Sequence, residues 1–271
     1  MIPDISNPFF AYIARIVEKE TRKHGYSVIL ADTEENEEIE IGSLHLLQSR
    51  KVDGMVVVPV GQKAQHLERL FQSGMPIVLI DRYFPESNLP FVASDNFGGA
   101  FQAVSHFIEN GHTRIACIQG LKNTLPNIER LRGYRQVHHD FGVPLDESLI
   151  VGDSFGYENG YIETKLLLKR IPRPTAIFAV SNLISLGALH AIKEEGLDVP
   201  GDISIISFDD QPYSALLATP MTTVTQQNEK IGQLAVKLFF NQIESKKPLE
   251  NQGILIPTRL IVRKSVKKIV T

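Results

Sequence analysis

The sequence predicts an α/β protein built on parallel sheets, and three observations support this class. Short apolar runs alternate with amphipathic helical patterns along almost the whole chain. The runs are rich in Val and Ile at consecutive positions, which is typical of strands buried on both faces. The chain has 271 residues, which is long for one compact core, so two domains are expected.

Seven apolar runs are predicted as strands of these sheets. They span residues 26–31, 52–60, 77–80, 114–120, 149–152, 175–180 and 203–208. The first strand of the alternation is the exception, because only Met1, Ile2 and Pro3 precede the polar turn that begins at Asp4. This pattern indicates a chain shortened at its N-terminus.

Helical stripes lie between the predicted strands, and each would face a sheet. Their apolar positions are 10, 13, 14 and 17, then 39, 44 and 47, then 183, 186, 188, 189 and 192. Asn7 and Pro8 give the first helix a capping residue followed by a first-turn proline. Strand–helix alternation of this kind implies parallel sheets with right-handed crossovers.

Composition narrows the function classes. The chain has 28 Lys and Arg against 31 Asp and Glu, with a net charge of −3, whereas nucleic-acid-binding modules concentrate basic residues. DNA contact would therefore need sequence that this chain does not contain. Cys117 is the single cysteine and cannot form an internal disulfide, and no 18-residue apolar run is present. We expect a cytoplasmic protein that does not associate with a membrane.

The most informative stretch is residues 175–210, which reads as a strand, a helix and a second strand. Polar pairs follow each strand, Ser181-Asn182 after the first and Asp209-Asp210 after the second. Ligands of open α/β sheets bind just beyond the carboxyl ends of the strands, where loop amides and helix N-termini converge. The stretch therefore predicts a binding site as well as a fold.

Catalysis receives little support from the sequence. Residues 152–156 read Gly-Asp-Ser-Phe-Gly, which matches the nucleophile elbow of α/β-hydrolases. In the hydrolase order, however, His190 is the only base available to Ser154, and it lies in the middle of a predicted helix. Dinucleotide, P-loop and zincin motifs are absent from the sequence. We predict neither an enzyme nor a bound cofactor.

Two polar clusters are interpreted as surface features rather than metal sites. His138, His139 and Asp140 are adjacent on a predicted helix, so their side chains point in different directions. The acidic run 34–40 stands at a helix start, where negative charge favours the helix dipole, and we interpret it as solvated surface. No metal site is predicted.

Several segments together carry a specific resemblance. They are DISNPFF at 4–10, PIVLIDR at 76–82, VASDNFGGA at 92–100, ERLRGY at 129–134, the stretch 175–210, and TPMTTVTQQNEKIG at 219–232. In order and spacing they resemble the effector-binding core of the LacI/GalR family of transcriptional regulators, which is similar to periplasmic ribose-type sugar-binding proteins. The resemblance covers essentially the whole chain. The helix-turn-helix headpiece that members carry ahead of this core is absent from the sequence.

The resemblance implies a fold of two doubly wound parallel-sheet lobes, of the periplasmic binding protein type I, joined by three crossing strands. It places residues 1–94 and 228–252 in the N-terminal lobe, and 95–227 and 253–271 in the C-terminal lobe. The crossings are expected near 93–95, 226–228 and 251–255. Each crossing would form part of a hinge around a small ligand held in the cleft between the lobes.

In the first lobe the candidate ligand-binding residues are Asn7, Phe9, Phe10, Asp81 and Arg82. The two rings stand in the first helical turn and could sandwich a sugar ring or a base, or they could be ordinary core. Asp81 and Arg82 follow an apolar run directly, so a carboxylate and a guanidinium are expected at a strand end. The alternative for this pair is a surface ion pair.

In the second lobe the candidates are Arg130, Phe155, Asp209 and Gln226. The resemblance registers on Arg-x-x-Gly-Tyr, which favours Arg130 over Arg132 as the cleft arginine, although a solvated helix charge is the alternative. It also makes Phe155 a second stacking ring, or else a packed loop aromatic, and it places Gln226 on a hinge strand, or else in an interstrand hydrogen bond. Asp209 ends a strand and would accept hydrogen bonds from ligand hydroxyls or an amine.

Ser181 and Asn182 complete the candidate site and depart from the family pattern. Most members have Asn-Asp where this chain has Ser-Asn. A serine cannot offer both a carbonyl and an amide to a pair of hydroxyls. The ligand could therefore be bulkier at this corner, a water could fill the gap, or the site could take something other than an ordinary monosaccharide.

The resemblance implies the effector-sensing core of a LacI-type regulator, most simply a repressor, that binds a sugar or sugar derivative. Its expected partners are the small-molecule effector, a second copy in a homodimer, and operator DNA through the headpiece absent from this chain. Effector binding would couple to DNA binding allosterically. The main alternative is a sugar-binding protein of a transport system, and an enzyme is a third.

Overall fold

The structure is a computed structural model that describes residues 1–245 and 252–269. Its helices are α1 Pro8–Arg22, α2 Glu37–Ser49, α3 Gln65–Gln72, α4 Asn96–Glu109, α5 Leu125–Asp140, α6 Tyr157–Leu168, α7 Asn182–Glu194 and α8 Asn228–Ser245. Its strands are β1 Met55–Val57, β2 Ile77–Ile80, β3 Phe91–Ser94, β4 Ile115–Ile118, β5 Ile150–Val151, β6 Ala176–Ala179, β7 Ser204–Phe208, β8 Thr222–Thr225, β9 Gly253–Ile256 and β10 Arg259–Ile261. The alternation of strands and helices predicted from the sequence is confirmed.

The chain divides into two compact units. The first contains Met1–Ser94 and Gln227–Ile256, and the second contains Asp95–Gln226 and Pro257–Thr271. The chain therefore passes between the units three times. Residues 253–256 form β9 in the sheet of the first unit, because the apolar run Ile-Leu-Ile pairs with β3. The sequence resemblance instead places these residues in the C-terminal lobe. Position 251, which begins the third expected crossing, lies outside the described residues.

The first unit has a four-stranded parallel sheet in the order β1-β2-β3-β9. One face is covered by α1 and α8, whose apolar side chains form a core with β2 and β3 that includes Ile13, Ile80 and Phe239. A second cluster contains side chains of α2 and α3 together with Leu79 and Val57. Both faces of the central strands are buried, which explains their unbroken apolar sequence.

The second unit has a six-stranded sheet in the order β10-β8-β7-β6-β4-β5. All neighbours are parallel except β10, which pairs with β8 in the antiparallel direction at the sheet edge. Beside this sheet, α6 and α7 pack closely through two glycines. A Cβ on Gly160 would lie 2.0 Å from the Ile184 carbonyl oxygen, and one on Gly187 would lie 2.1 Å from the Tyr157 carbonyl oxygen.

The helix start at Asn7-Pro8 is confirmed, whereas the strand predicted at 26–31 is wrong. Asn7 caps α1 by accepting a hydrogen bond from the Phe9 N–H. In the region of 26–31, the structure contains only an isolated parallel bridge between Ile2 and Asp32. A strand needs a paired neighbour along its length, and Met1 and Ile2 provide one for only the last residues of this run.

The interpretation of the acidic run as solvated surface is wrong for two of its members. Glu40 is fully buried, where its carboxylate accepts hydrogen bonds from the Val60 N–H at 2.9 Å and pairs with His66 Nε2 at 2.7 Å. Glu35 forms an ion pair with Arg82. A sequence window sees the charge of such residues but not the buried partners that long-range folding supplies.

Candidate functional site

Polar side chains of the second unit gather where neighbouring parallel strands end. Ser181 and Asn182 follow β6, Asp209 follows β7, and Gln226 follows β8. Because β6, β7 and β8 are consecutive in the sheet and parallel, these residues leave it at the same edge. We refer to Arg130, Asn182, Asp209 and Gln226 as the second-unit cluster.

Asp209 is the centre of this cluster. It is 7% exposed and adopts a left-handed backbone conformation with φ of 72°, which costs a non-glycine residue on the order of 1–3 kcal/mol. Its carboxylate accepts hydrogen bonds from the Gln226 side-chain amide and from the Asn182 backbone N–H. Burial raises the pKa of Asp209, and the nearby Arg130 guanidinium opposes the rise. The hydrogen bonds from Gln226 and Asn182 therefore hold this buried carboxylate at the strand end in spite of the strained backbone.

Arg130 on α5 is the buried cation of the cluster. Its Nε donates to Asn96 Oδ1 at 2.8 Å, and its Nη1 donates to the Val180 carbonyl at 2.6 Å. The guanidinium carbon lies 3.7 Å from the centroid of the Phe208 ring. Helix, loop and aromatic face thus fix the plane of the guanidinium. Arg132, by contrast, is exposed and pairs with Glu129 on the same helix.

Two buried acceptors of the cluster have no hydrogen-bond partner among the described residues. They are Asn182 Oδ1 and Gln226 Oε1, on residues that are 2% and 7% exposed. The Asn182 amide nitrogen lies 3.5 Å from Tyr213 Oη. Leaving a buried acceptor unsatisfied costs about 1–3 kcal/mol, so such atoms favour a ligand that carries hydrogen-bond donors.

Ser181 and Phe155 lie beside the cluster and are joined to each other. Ser181 Oγ donates to the Phe155 carbonyl at 3.0 Å and accepts from the Ile184 N–H at 3.3 Å, so it caps α7. The Phe155 ring is half-buried and covers Gly120, where a Cβ would lie 2.1 Å from the ring. The serine hydroxyl therefore has a local role in holding the loop and starting the helix.

In the first unit, the candidate residues of α1 are buried against their own lobe. Asn7, Phe9 and Phe10 are each less than a tenth exposed, and the two rings meet edge to face with centroids 5.1 Å apart. Both rings belong to the apolar core of this unit. They supply apolar surface close to the N-terminal end of α1.

Asp81 and Arg82 leave the carboxyl end of β2, as expected from the sequence. Asp81 is buried and has φ of 65°, close to the value at Asp209. Arg82 donates from both terminal nitrogens to the two carboxylate oxygens of Glu35, each at 2.6 Å, and its guanidinium carbon lies 5.9 Å from the Phe10 ring centroid. We refer to Asn7, Phe9, Phe10, Asp81 and Arg82, with Glu35, as the first-unit cluster.

Sequence reasoning missed several residues that shape these clusters. They are Glu35, Asn96, Phe208 and Tyr213. Phe208 ends the strand before Asp209, so its position was available as a signal. Asp210 has a different role from its neighbour, because its carboxylate pairs with Arg263 Nη1 at 2.8 Å and accepts from Thr223 Oγ1 at 2.7 Å.

In the described part of the chain, Ser154 and His190 have separate partners, and no group of metal ligands is found. Ser154 Oγ accepts a hydrogen bond from the Gly156 N–H, whereas His190 pairs with Tyr157. Among residues 1–245 and 252–269, no three His, Cys, Asp or Glu side chains form a group that could hold a metal ion. In the same residues, no helix is both long and apolar enough to cross a bilayer.

The chain matches a family model described as periplasmic binding proteins and the sugar binding domain of the LacI family, over residues 1–264. It is 36% identical over 267 residues to the ribose operon repressor of Halalkalibacterium halodurans, covering 98% of this chain and 78% of that protein.

Two solved structures are similar throughout. A putative ribose operon repressor from Burkholderia thailandensis has a TM-score of 0.86 at 33% identity, with 96% of each chain covered. A LacI family transcriptional regulator from Enterococcus faecium with bound ribose has a TM-score of 0.88 at 27% identity, covering 99% of this chain and 98% of that one.

The protein is thus of the periplasmic-binding-protein-like class, with parallel sheets in both units. The chain belongs to the LacI family and is the effector-binding domain of a transcriptional repressor. Its relatives include the ribose operon repressor of Halalkalibacterium halodurans and the HTH-type transcriptional repressor CytR of Escherichia coli, which are repressors and not enzymes. The resemblance seen in the sequence is confirmed.

Proposed function

We propose that this domain binds a carbohydrate effector and that the second-unit cluster recognises its hydroxyl groups. The observation that carries the proposal is the set of buried acceptors at one sheet edge. Asn182 Oδ1 and Gln226 Oε1 have no partner among the described residues and need donors, and the neighbouring Asp209 carboxylate has further lone pairs that can accept from the same ligand. A polyol carries hydroxyl donors on adjacent carbons, which suits a group of acceptors at one sheet edge. The ribose bound by the Enterococcus faecium regulator supports the same class.

The first-unit cluster is proposed to contact the same effector, as the family resemblance implies. Phe9 and Phe10 would provide apolar contact, and Asp81 and Arg82 would provide polar contact. Because Arg82 is held by two short hydrogen bonds to Glu35, its charge is largely neutralised inside the unit. We expect this cluster to orient the sugar ring and the second-unit cluster to select it.

Ser181 enters this proposal as a positioning residue. Its hydroxyl is occupied by the α7 cap and by the Phe155 loop, so it holds Phe155 at the position of a stacking ring. This chain departs from the family pattern at this corner, which leaves Asn182 as the residue whose side chain would meet the effector.

Regulation would follow from linkage between the effector and DNA. We propose a homodimer whose contacts change when effector binds, with operator DNA held by a helix-turn-helix headpiece outside this chain. Coupling free energies between such sites are about 1–3 kcal/mol, or several-fold to about 150-fold in operator affinity. A cytoplasmic location follows from this role. The transport alternative is not favoured, since the matched relatives include the ribose operon repressor and the CytR repressor.

The test is a thermal-shift screen of the chain against pentoses, hexoses, disaccharides, sugar phosphates and nucleosides, followed by calorimetry on each hit. We expect saturable binding by at least one hydroxyl-rich compound that is lost in Asp209→Asn and kept in Asp153→Asn, which changes an exposed carboxylate of the same unit. Tight binding by an apolar compound only, or equal affinity in both variants, would refute the proposal.

A further inference from the structure

The cations of the two clusters are each engaged inside their own unit. Arg82 donates from both terminal nitrogens to the Glu35 carboxylate, each at 2.6 Å, and its side chain is 6% exposed. Arg130 donates to Asn96 Oδ1 and to the Val180 carbonyl. A negatively charged ligand would therefore meet guanidinium groups that already have acceptors within the protein.

A turn ahead of α2 places Glu35 beside Arg82. Glu34 and Glu35 both have positive φ, 51° and 53°, a conformation that non-glycine residues rarely adopt. The two side chains of the turn differ, because Glu34 is exposed, whereas Glu35 is half-buried and forms the bidentate pair. Such pairs are planar and charge-assisted, so the positive charge of Arg82 is directed at Glu35.

The formal charge of the first-unit cluster is negative. Glu35 and Asp81 supply two carboxylates against the single guanidinium of Arg82. Another carboxylate, that of Asp32, lies in the turn that carries Glu35, where it accepts a hydrogen bond from the Glu34 N–H at 3.1 Å. A phosphate monoester carries a charge of about −1.5 to −2 at pH 7, so this surplus of carboxylates would repel it.

The second-unit cluster disfavours a phosphate through hydrogen bonding as well as charge. Asn182 Oδ1 and Gln226 Oε1 are buried acceptors without a partner among the described residues. A phosphate dianion offers further acceptors, whereas a sugar hydroxyl offers a donor. Burial already raises the pKa of Asp209, and a second negative charge beside this carboxylate would add to the same electrostatic cost. The cluster therefore complements hydroxyl groups and not phosphate oxygens.

We propose that the effector is an uncharged sugar without a phosphate group, and that Glu35 sets this specificity by neutralising Arg82. This inference rests on the proposed function, in which both clusters contact a carbohydrate. Glu35 acts through Arg82 as a positioning residue, since its carboxylate holds the guanidinium by two hydrogen bonds. Specificity of this kind depends on denying a charge partner to the wrong ligand as much as on contacts to the right one.

Two exposed lysines do not alter this balance. Lys63 lies in the loop after β1, and Lys122 lies in the loop after β4. An exposed ammonium is strongly hydrated, and its pairing with an anion in water contributes little. Neither lysine would offset the hydration that a phosphate loses beside buried acceptors.

The experiment compares free sugars with their phosphate esters by calorimetry on the wild-type chain. The pairs are D-ribose with D-ribose 5-phosphate, D-glucose with D-glucose 6-phosphate, and D-fructose with D-fructose 6-phosphate. The titrations are made well above pH 6, the approximate second pKa of the esters, so that the phosphate is a dianion. We expect saturable binding of at least one free sugar and at least tenfold weaker binding of its ester.

Two variants test the role of Glu35. Glu35→Gln keeps the size of the side chain but removes the charge that neutralises Arg82, so the preference for the free sugar over its ester should fall at least fivefold through tighter binding of the ester. A purely structural defect would instead weaken both ligands alike. Glu34→Gln makes the same change at the exposed neighbour in the turn and should leave the preference unchanged. Circular dichroism checks that both variants are folded.

The possible outcomes separate this inference from the proposed function. An ester that binds the wild type as tightly as its free sugar would overturn the inference and leave a carbohydrate effector in place. An unchanged preference in folded Glu35→Gln would overturn the role of Glu35. Absence of binding by free sugars and esters alike would overturn the proposed function, and the inference with it.

Discussion

The two clusters use the same backbone device to opposite ends. In both units an aspartate directly follows a buried parallel strand and is held at positive φ, with 65° at Asp81 and 72° at Asp209. The cations near the two aspartates differ. In the first unit the cation is the next residue, Arg82, and Glu35 neutralises it within that unit. In the second unit the cation near Asp209 comes from another element, Arg130 on α5. The cation of the first cluster is therefore paired inside its own unit, and the second cluster has two buried acceptors, on Asn182 and Gln226, without a partner among the described residues.

This contrast teaches that charge at a strand end does not by itself indicate a ligand contact. Asp210 is adjacent to Asp209, yet its carboxylate is occupied by Arg263 and Thr223. What sets Asn182 and Gln226 apart from Asp210 is burial combined with an acceptor that has no partner among the described residues. Four substitutions test this distinction, and they are ordered by the size of the expected effect.

Arg130→Ala should have the largest effect. It removes hydrogen bonds to Asn96 and the Val180 carbonyl, the contact with the Phe208 ring, and the positive charge that stabilises the buried Asp209 carboxylate. Removing one partner of a buried ionic network typically costs about 3–5 kcal/mol. Denaturant unfolding should show this loss, and effector binding should disappear.

The control for this substitution is Arg132→Ala, since Arg132 lies on the same helix, is itself exposed and pairs with the half-buried Glu129. Its expected cost is within about 0.5 kcal/mol. A similar loss of stability in both variants would show that the helix, and not the buried network, carries the effect.

Asp209→Asn should affect binding more than stability. Hydrogen bonds to charged groups are worth about 1.5–3 kcal/mol, which corresponds to at least tenfold weaker effector binding. Calorimetry with an effector from the screen measures this directly.

The pH dependence of unfolding gives a second measurement on Asp209→Asn. Because burial raises the pKa of Asp209, the charged carboxylate lowers the free energy of unfolding. This loss of stability is absent below the unfolded pKa of about 3.9, and it grows as pH rises through the folded pKa. The stability of Asp209→Asn relative to wild type should therefore increase with pH. If the stability of Asp209→Asn relative to wild type fell with rising pH, this would contradict a raised pKa for Asp209 in the folded protein.

The sequence predicts the residues at strand ends better than it predicts the residues that contact them. Asp81 and Asp209 could be placed because an apolar run stops at a charged residue, and this local pattern survives in the fold. Glu35, Asn96 and Tyr213 could not, since their relevance depends on contacts made between distant segments. The strand predicted at 26–31 failed for the same reason, because pairing along its length depends on a neighbour that local sequence does not reveal.

Arg82→Ala should have a smaller effect on stability than Arg130→Ala. Its bidentate bond to Glu35 is partly open to water on the glutamate side, so we expect a cost of about 1–2 kcal/mol. A double-mutant cycle with Glu35→Ala measures the coupling between the two side chains. Additive costs in that cycle would show that the pair is not coupled and would weaken the contrast between the clusters.

Ser181→Ala should have the smallest effect. It removes the cap of α7 and the bond to the Phe155 carbonyl, which should cost about 1 kcal/mol of stability. Effector affinity should change by less than fivefold, because the hydroxyl is already occupied. Ser148→Ala, at an exposed position of the short 3-10 helix Glu147–Leu149 in the same unit, provides the comparison, and a tenfold loss of affinity confined to Ser181→Ala would make the serine a direct ligand contact.

The most direct test of the central claim is a calorimetric titration of the wild-type chain and of Asp209→Asn with the same set of sugars, beginning with D-ribose. The account predicts saturable binding of at least one sugar to the wild type and at least a tenfold loss in the variant, while both proteins remain folded by circular dichroism. Undiminished sugar affinity in the folded variant, or no sugar binding by the wild type across the set, would contradict it.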